Sequence, residues 1–200
     1  MNFFEEIGKY QIILGSQSPR RQYLLKELGL KFDVKLKQMV EEDYPEHLAR
    51  EEIPLYLARK KADAFDDELN QNTIVITADT VVWKDDQVLH KPKDEKEAYD
   101  ILRSLSGTVH QVYTAVCIHS VNQKSTFSTQ TDVYFKELTD KEIWYYIDKY
   151  EPFDKAGAYG IQEWLGYIGV EKIDGSFFNV MGLPVQKLYV ELKRFLNIQS

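Results

Sequence analysis

The chain has 200 residues, 44% of them hydrophobic, a length and composition that suit one domain with a sizeable core. Its formal net charge of -7 argues against general binding to nucleic acid or to an acidic membrane surface, so an anionic ligand would need a local basic pocket. The single cysteine, Cys117, excludes a disulfide framework and a cysteine-based metal site, and its apolar surroundings predict a small buried residue.

The first half of the chain predicts strands that alternate with helices. "YQIILGS" is typical of a short buried strand, after which Ser18 and Pro19 mark the cap and first residue of a helix. "KFDVKL" alternates like a second strand, the polar stretch after it predicts a loop, and residues 53–65 have helical spacing. "NTIVITADTVVW" is the strongest predicted strand, and "DDQV" favours a hairpin turn behind it.

The second half adds hairpin strands to this pattern. Asp94 is placed to cap a helix that Gly107 stops, and Thr139 is placed to cap a second helix. Between them lie two long predicted strands joined at "NQK". "DKAGAYGIQEWLGYIG" predicts a glycine-rich loop, and a strand, a turn and a helix after Pro184 complete the chain. We therefore predict an α/β fold with a mixed sheet, in a single domain over residues 1–200.

Two arginines follow the capping residue Ser18, at the helix end where the dipole repels cations. One interpretation is that Arg20 and Arg21 extend into solvent, at a cost of a few tenths of a kcal/mol. The other is that an anion binds there, held by backbone N–H groups, the hydroxyls of Ser16 and Ser18, and both guanidinium groups. "GSQSPRRQ" lacks the second glycine and the lysine of a P-loop, so such a phosphate site would be of another type.

Asp79 interrupts a run in which every neighbour favours burial. An unpaired buried carboxylate costs several kcal/mol, so Asp79 needs a cation, a metal or hydrogen bonds. It could form a turn at a strand end, although "TVVW" resumes β character at once. The alternative is a metal ligand or general base at the sheet edge, where α/β folds bind ligands.

Further charges surround this candidate in the sequence. The acidic run 41–43 and the lysines Lys60, Lys61 and Lys91 are each typical of solvated surface when taken alone. Together they suit a polyphosphate with Mg²⁺, which prefers one or two protein carboxylates plus substrate phosphates. The four histidines show no metal-ligand spacing, and we assign them no catalytic role.

Seven short motifs resemble, in type and order, those of the Maf-like nucleoside triphosphate pyrophosphatases, the septum-formation-inhibitor family. They run from about Ile12 to the final helix: "SQSPRR", "LARKKA", "ADTVV", "KPKD", "LSGTVHQVYTAV", "DKAGAYGIQ" and "GSFFNVMGLP". The resemblance implies a Maf/inosine-triphosphatase-like fold, a long bent mixed sheet with two lobes around a deep cleft. It also implies hydrolysis of a nucleoside triphosphate to the monophosphate and pyrophosphate, with a divalent metal cation, Mg²⁺ or Mn²⁺, as cofactor.

The resemblance also implies roles for individual residues. Ser16, Arg20, Lys61 and Lys91 would hold phosphates, with both lysines part of the catalytic site. Asp79 would be the catalytic acidic residue, binding metal or activating water. Glu42 matches the glutamate that shares the metal. Lys61 is preferred to Lys60 because it directly precedes Ala62, as in the family.

Substrate preference is implied by three further matches. Arg21, Thr80 and Gln162 resemble the dTTP/UTP branch of the family and differ from the 7-methyl-GTP branch. Glu163 departs from the family, in which glycine often follows the glutamine. The alternatives are a non-catalytic nucleotide-binding regulator of cell division, which would not need the acidic pair, and a pyrophosphatase for modified purine nucleotides.

The remaining expectations concern location and partners. Neither a basic, apolar leader nor a run of about 20 apolar residues is visible, so we expect a soluble cytoplasmic protein. We expect a small-molecule nucleotide substrate, no nucleic-acid partner, no membrane partner, and a homodimer.

Overall fold

A mixed seven-stranded sheet organises the chain. The structure, a computed structural model, describes residues 2–37 and 42–198. The strands are β1 (Gln11–Leu14), β2 (Asp33–Val34), β3 (Thr73–Lys84), β4 (Gln87–Leu89), β5 (Val109–His119), β6 (Lys124–Phe135) and β7 (Val170–Asp174). The α-helices are α1 (Phe3–Ile7), α2 (Pro19–Glu27), α3 (Glu52–Asp63), α4 (Glu95–Leu105), α5 (Asp140–Tyr150), α6 (Trp164–Gly169), α7 (Phe177–Met181) and α8 (Val185–Phe195).

Strand order and strand length place Asp79 past the end of the neighbouring strand β1. The order is β2-β1-β3-β5-β6-β7, with β1 parallel to both of its neighbours. Leu14, the last residue of β1, is in register with Ile76 of β3. Because β3 continues to Lys84, Asp79 lies beyond the carboxyl end of its parallel neighbour, the edge where open α/β sheets bind ligands. The strand runs unbroken through Asp79, which excludes the alternative of a turn at that residue.

Antiparallel pairs complete the mixed sheet. β3 pairs with β4 across a two-residue turn in which Asp85 and Asp86 both have positive φ, 48° and 58°. Such a turn matches the right-handed twist of two hairpin strands, and it confirms the turn predicted at "DDQV". β7 is antiparallel to β6. The predicted α/β fold with a mixed sheet is therefore confirmed.

The predicted helix caps are also confirmed. The side chain of Ser18 accepts a hydrogen bond from the Arg21 N–H, and that of Asp94 accepts one from the Glu97 N–H at 2.8 Å. Thr139 forms a capping box with Glu142, in which each side chain accepts from the other residue's N–H. These contacts satisfy N–H groups that a helix start leaves without partners, so the local sequence fixes where the helices begin.

Two local predictions were wrong, and one predicted strand is shorter than expected. The stretch predicted as one glycine-rich loop ends in α6, whose Gly166 packs so closely that a Cβ there would lie 2.0 Å from the Ile161 carbonyl oxygen. The segment predicted as a turn before Pro184 contains the short helix α7, and "KFDVKL" forms only the two residues of β2. Short elements carry weak periodicity, and tertiary packing decides them.

The chain divides into two compact units, which we call the first and second unit. The first comprises Met1–Asp79, Thr114–Thr129 and Gly182–Ser200, and the second comprises Thr80–Tyr113 and Gln130–Met181. In the first, α3 and β5 pack together through buried Ala58, Ala62, Ala115 and Cys117, which confirms the burial predicted for the cysteine. Among the described residues, no helix has the length and apolar character that crossing a membrane requires.

We predict that Gly15→Ala destabilises the protein. A Cβ at Gly15 would lie 2.8 Å from Thr77 Cγ2 and 2.9 Å from Phe65 Cε2. Overpacking of this kind costs about 1–3 kcal/mol, more than the roughly 0.4–1 kcal/mol that alanine contributes by restricting the unfolded chain. Urea denaturation should show a lower free energy of unfolding. The exposed neighbour variant Gln17→Ala should change it by less than about 0.5 kcal/mol, and equal stabilities would show that this turn has room.

Candidate active site

The turn between β1 and α2 places a buried hydroxyl at the sheet edge. Ser16 is buried, and its Oγ accepts hydrogen bonds from the Ser18 N–H at 3.2 Å and from Arg21 Nη1 at 3.4 Å. Ser18 in turn caps the helix. A polar side chain and the start of a helix therefore lie together at the carboxyl end of β1, an arrangement suited to an anion.

Arg21 is held by the protein itself. Its Nε donates to the Gly182 carbonyl oxygen at 2.9 Å, which fixes the guanidinium group close to Ser16. Burial lowers the pKa of Arg21, and the negative charge of Asp79 opposes that shift. Arg20 is partly buried and lies near enough to disfavour the charge on Arg21. The two arginines therefore concentrate positive charge at the start of α2, and Asp79 offsets part of it.

Asp79 and Glu42 converge on one ammonium group. Lys61 Nζ lies 2.5 Å from Asp79 Oδ1 and 2.8 Å from Glu42 Oε1. The Asp79 side chain is 10% exposed, whereas that of Glu42 is 52% exposed. Asp79 from β3 and Glu42 from the loop before α3 thus meet at the ammonium group of Lys61, which lies on α3. The Asp79 carboxylate is buried, and the Glu42 carboxylate is open to solvent.

Burial dominates the electrostatics of Asp79. It raises the pKa of the carboxyl above its ordinary value of 3.8, and the charges of Lys61 and Arg21 only partly offset this effect. The nearby charge of Glu42 raises the pKa further. A carboxylate in this setting is more basic than an ordinary one, which is the property that a general base needs.

The neighbouring lysine on α3 has a different partner. Lys60 forms its ion pair with Asp43, apart from Asp79, so the structure distinguishes the two adjacent lysines that the sequence left ambiguous. Glu41, in the same acidic run, lies outside the described residues. Tyr44 was missed by sequence analysis: burial raises its pKa, and so does the charge of Asp79. A tyrosine in a polar loop gave no signal that it would lie near the carboxylate.

Three predicted site residues lie in the second unit. Thr80 directly follows Asp79 on β3 and is partly buried, and Lys91 is exposed just after β4. Gln162 precedes α6. Its Oε1 is buried and has no hydrogen-bond partner among the described residues, while its main-chain carbonyl accepts from Tyr167 Oη at 2.6 Å. An amide oxygen in this condition is suited to a ligand that donates a hydrogen bond.

A second group of potential metal ligands lies elsewhere in the first unit. Asp63, Asp66 and His119 have ligand atoms within 4.8 Å of one another. His119 Nε2 lies 2.6 Å from Asp66 Oδ1, a pairing that the spacing of the histidines did not indicate. Asp63 and Asp66 are both exposed, as acidic side chains commonly are without a metal, so we assign this group no metal.

Sequence comparisons with known proteins cover nearly the whole chain. The sequence model of the family described as "Maf-like protein" matches residues 11–195. A curated protein of Parabacteroides distasonis named dTTP/UTP pyrophosphatase is 53% identical, covering 96% of this chain and 99% of the relative. One of Flavobacterium johnsoniae with the same name is 49% identical, covering 92% and 95%. Among solved structures, the Ham1 protein of Staphylococcus aureus aligns with a TM-score of 0.45 and 15% identity, over 62% of this chain and 71% of that one.

We predict that Asp79→Asn does not lower stability at neutral pH. The folded state raises the pKa of Asp79, so its neutral form favours folding and ionisation removes that contribution as pH rises through the folded-state pKa. Asparagine keeps the shape without the buried charge, and Lys61 retains Glu42 as a partner. Urea denaturation at several pH values should show the variant at least as stable as wild type at pH 7–8. Its advantage should shrink as pH falls toward 3.8; a loss above about 1 kcal/mol at pH 7 would contradict this.

Proposed function

Since the chain belongs to the Maf family, we propose that it hydrolyses dTTP and UTP to the nucleoside monophosphate and pyrophosphate. The observation that carries the proposal is the convergence of the buried Asp79 and the exposed Glu42 on Lys61, at the carboxyl edge of parallel strands. The names of the relatives support the two substrates.

The start of α2 is the proposed phosphate site. A triphosphate there would accept hydrogen bonds from the buried Ser16 hydroxyl and from N–H groups at the start of the helix. Arg20 would add a guanidinium group with the fork geometry that matches phosphate oxygens. Arg21, already fixed by Gly182, would contribute its charge with little loss of side-chain freedom. The net charge of the chain is negative, so this local concentration of cations is what would attract the substrate.

The acidic pair fits a divalent cation. Glu42 and Asp79 each place an oxygen within hydrogen-bond distance of the same Lys61 nitrogen, so one small cation could reach both carboxylates. Two carboxylates plus substrate phosphates are the ligand set that Mg²⁺ prefers, and Mn²⁺ accepts similar ligands. When bound, the cation would supply positive charge to the phosphate oxygens of the substrate. Lys61 and Lys91 would supply further positive charge.

Asp79 is proposed to act on the attacking water. The water oxygen forms a bond to the α-phosphorus while the α–β bridging bond breaks, and the bridging oxygen leaves with pyrophosphate. Asp79 takes the proton that the water releases, as a general base does. Burial favours proton uptake by this carboxyl, and a bound cation would oppose that effect. The hydrogen bond from Lys61 Nζ holds the Asp79 carboxylate in a fixed orientation. Charge that grows on the leaving pyrophosphate is stabilised by the neighbouring cations.

Gln162 is proposed to select the base. Uracil and thymine present an N3–H donor flanked by carbonyl acceptors, and an amide side chain offers one acceptor and one donor group. Cytosine reverses part of that pattern and would leave buried polar groups mismatched, at about 1–3 kcal/mol each. The buried Gln162 Oε1, without a partner among the described residues, suits this role. Thr80 and Arg21 are proposed to complete recognition of the nucleotide.

The first activity prediction concerns the reaction and Asp79. Purified protein should release pyrophosphate from dTTP and UTP at least tenfold faster than from CTP, ITP or 7-methyl-GTP, and chelation of Mg²⁺ or Mn²⁺ should abolish release. Asp79→Asn should reduce turnover by at least about a hundredfold, the usual scale for a lost acid–base group. Asp43→Asn, which alters an exposed carboxylate paired with Lys60, is the matched control and should retain near-normal turnover.

Contrary results would identify the alternatives. Tight nucleotide binding without hydrolysis would indicate a regulator, and a preference for ITP would indicate an enzyme for modified purines. Near-normal turnover by Asp79→Asn would remove Asp79 from the mechanism.

The second activity prediction concerns Gln162. Gln162→Glu removes the amide donor at neutral pH, so the preference for dTTP and UTP over CTP should fall roughly ten- to a hundredfold. The measurement is kcat/KM for dTTP, UTP, CTP and 7-methyl-GTP. Gln87→Glu, the same change at an exposed position on β4, controls for the added charge. If Gln162→Glu keeps the wild-type ranking of the four substrates, as the control should, Gln162 does not read the base.

A further inference from the structure

We propose that Glu163 is a positioning residue that sets nucleotide selectivity by holding the segment Gly160–Gln162 in place. The inference rests on the proposed function, because Gln162 is the residue proposed to read the base. Glu163 is the first residue before α6, yet its side chain does not cap that helix. Instead the carboxylate turns toward the glycine-rich segment preceding it.

Both oxygens of the Glu163 carboxylate are engaged. Tyr146 Oη donates a hydrogen bond to Glu163 Oε2, and Lys155 Nζ lies 3.3 Å from Oε1. Tyr146 is fully buried and the Lys155 side chain is 8% exposed, so these contacts are shielded from water. A carboxylate held by a buried phenol and a buried ammonium has little freedom to move.

The same tyrosine connects Glu163 to the backbone of the segment. The Gly160 N–H donates to Tyr146 Oη at 3.0 Å, so one hydroxyl accepts from the glycine and donates to the carboxylate. The Glu163 N–H also donates to the Gly160 carbonyl oxygen at 3.0 Å. Gly160 is therefore fixed at its N–H through Tyr146 and at its carbonyl through the Glu163 main chain.

Side-chain packing links this arrangement to Gln162. A Cβ at Gly160 would lie 2.7 Å from Glu163 Cδ and 2.8 Å from Gln162 Nε2. The Glu163 carboxylate and the Gln162 amide thus both lie against Gly160, where a side chain would displace them. The Gln162 main-chain carbonyl accepts a hydrogen bond from Tyr167 Oη, which holds the backbone at this residue. The orientation of the side-chain amide is what can still change. Loss of the Glu163 contacts would let Gly160 shift and would change where the amide points.

The experiment compares Glu163→Gln and Tyr146→Phe with wild type. Glu163→Gln keeps the size but removes the charge that faces Lys155, and Tyr146→Phe removes the hydroxyl that joins Gly160 to Glu163. The matched controls are Glu171→Gln, an exposed glutamate on β7, and Tyr145→Phe, the adjacent and more exposed tyrosine on α5. Readouts are kcat and KM for dTTP, UTP, CTP and 7-methyl-GTP, the melting temperature, and hydrogen exchange of the Gly160 amide by NMR.

We expect both variants to narrow the ratio of kcat/KM between the best and poorest substrates by at least fivefold. The change should come mainly from a higher KM for the preferred substrates, and Gly160 exchange should accelerate at least tenfold. The controls should change neither quantity. Equal loss of activity on every substrate, an unchanged ratio, or unchanged Gly160 exchange would each overturn the proposal, because a merely structural residue lowers stability without altering the ranking.

Failure of the proposed function gives a different pattern. It is judged on wild-type protein alone, by hydrolysis of no triphosphate in the panel or by a best substrate other than dTTP and UTP. In the first case the selectivity role of Glu163 fails with it. In the second case, the ratio of kcat/KM is calculated for the substrate that wild type prefers relative to its poorest substrate. The two variants then still show whether Glu163 sets that ratio.

Discussion

The burial of one carboxylate is the constraint on which the candidate active site depends. Asp79 lies on a central strand among residues that favour burial, where an ionised side chain without partners would be costly. The ion pair with Lys61 directly stabilises the buried Asp79 carboxylate, and the positive charge of Arg21 stabilises it at longer range. The compensation is incomplete, since burial still raises the pKa of Asp79. A site that compensated the charge fully would hold a weaker base, so the incomplete balance is consistent with the proton transfer proposed for Asp79.

The arginines at the start of α2 follow from the same electrostatics. A cation at a helix N-terminus is unfavourable by a few tenths of a kcal/mol, which is small beside the interactions that fix Arg21. Its Nε donates to the Gly182 carbonyl oxygen and its charge faces Asp79, so the protein itself stabilises this cation. This refines the role proposed for Arg21, which would organise the site as well as add positive charge to it.

The second unit contains a buried polar network around Gly160. Tyr146 and Lys155 both contact the Glu163 carboxylate beside Gly160, and Lys155 also donates a hydrogen bond to Asp154 Oδ1 at 2.6 Å. None of Tyr146, Lys155 and Glu163 provides a hydrogen bond to the Gln162 amide oxygen. Fully paired buried polar groups are rigid, whereas a buried acceptor without a partner is available to a ligand. Their adjacency gives a rigid support next to an amide suited to base recognition. From the sequence, Glu163 stood out only as a departure from the family motif, since its partners Tyr146 and Lys155 lie 17 and 8 residues earlier in the chain.

The sequence by itself determined the elements whose signals are local and the motifs whose order identifies the family. Caps at Ser18, Asp94 and Thr139 act within one helical turn, and the Asp85–Asp86 turn acts between adjacent strands, so a few neighbouring residues specify each. The anomaly of a carboxylate in a β-rich run was also visible without coordinates.

Only the tertiary structure decided which distant charges meet. Lys60 and Lys61 are adjacent on α3, and the helix directs the first to Asp43 and the second to Asp79 and Glu42. The pairings of Arg21 with Gly182 and of His119 with Asp66 join residues far apart in the chain. Such contacts depend on how the helices and strands pack, and no local pattern encodes them, because hydrogen bonds and ion pairs are set by distances of a few ångströms in three dimensions.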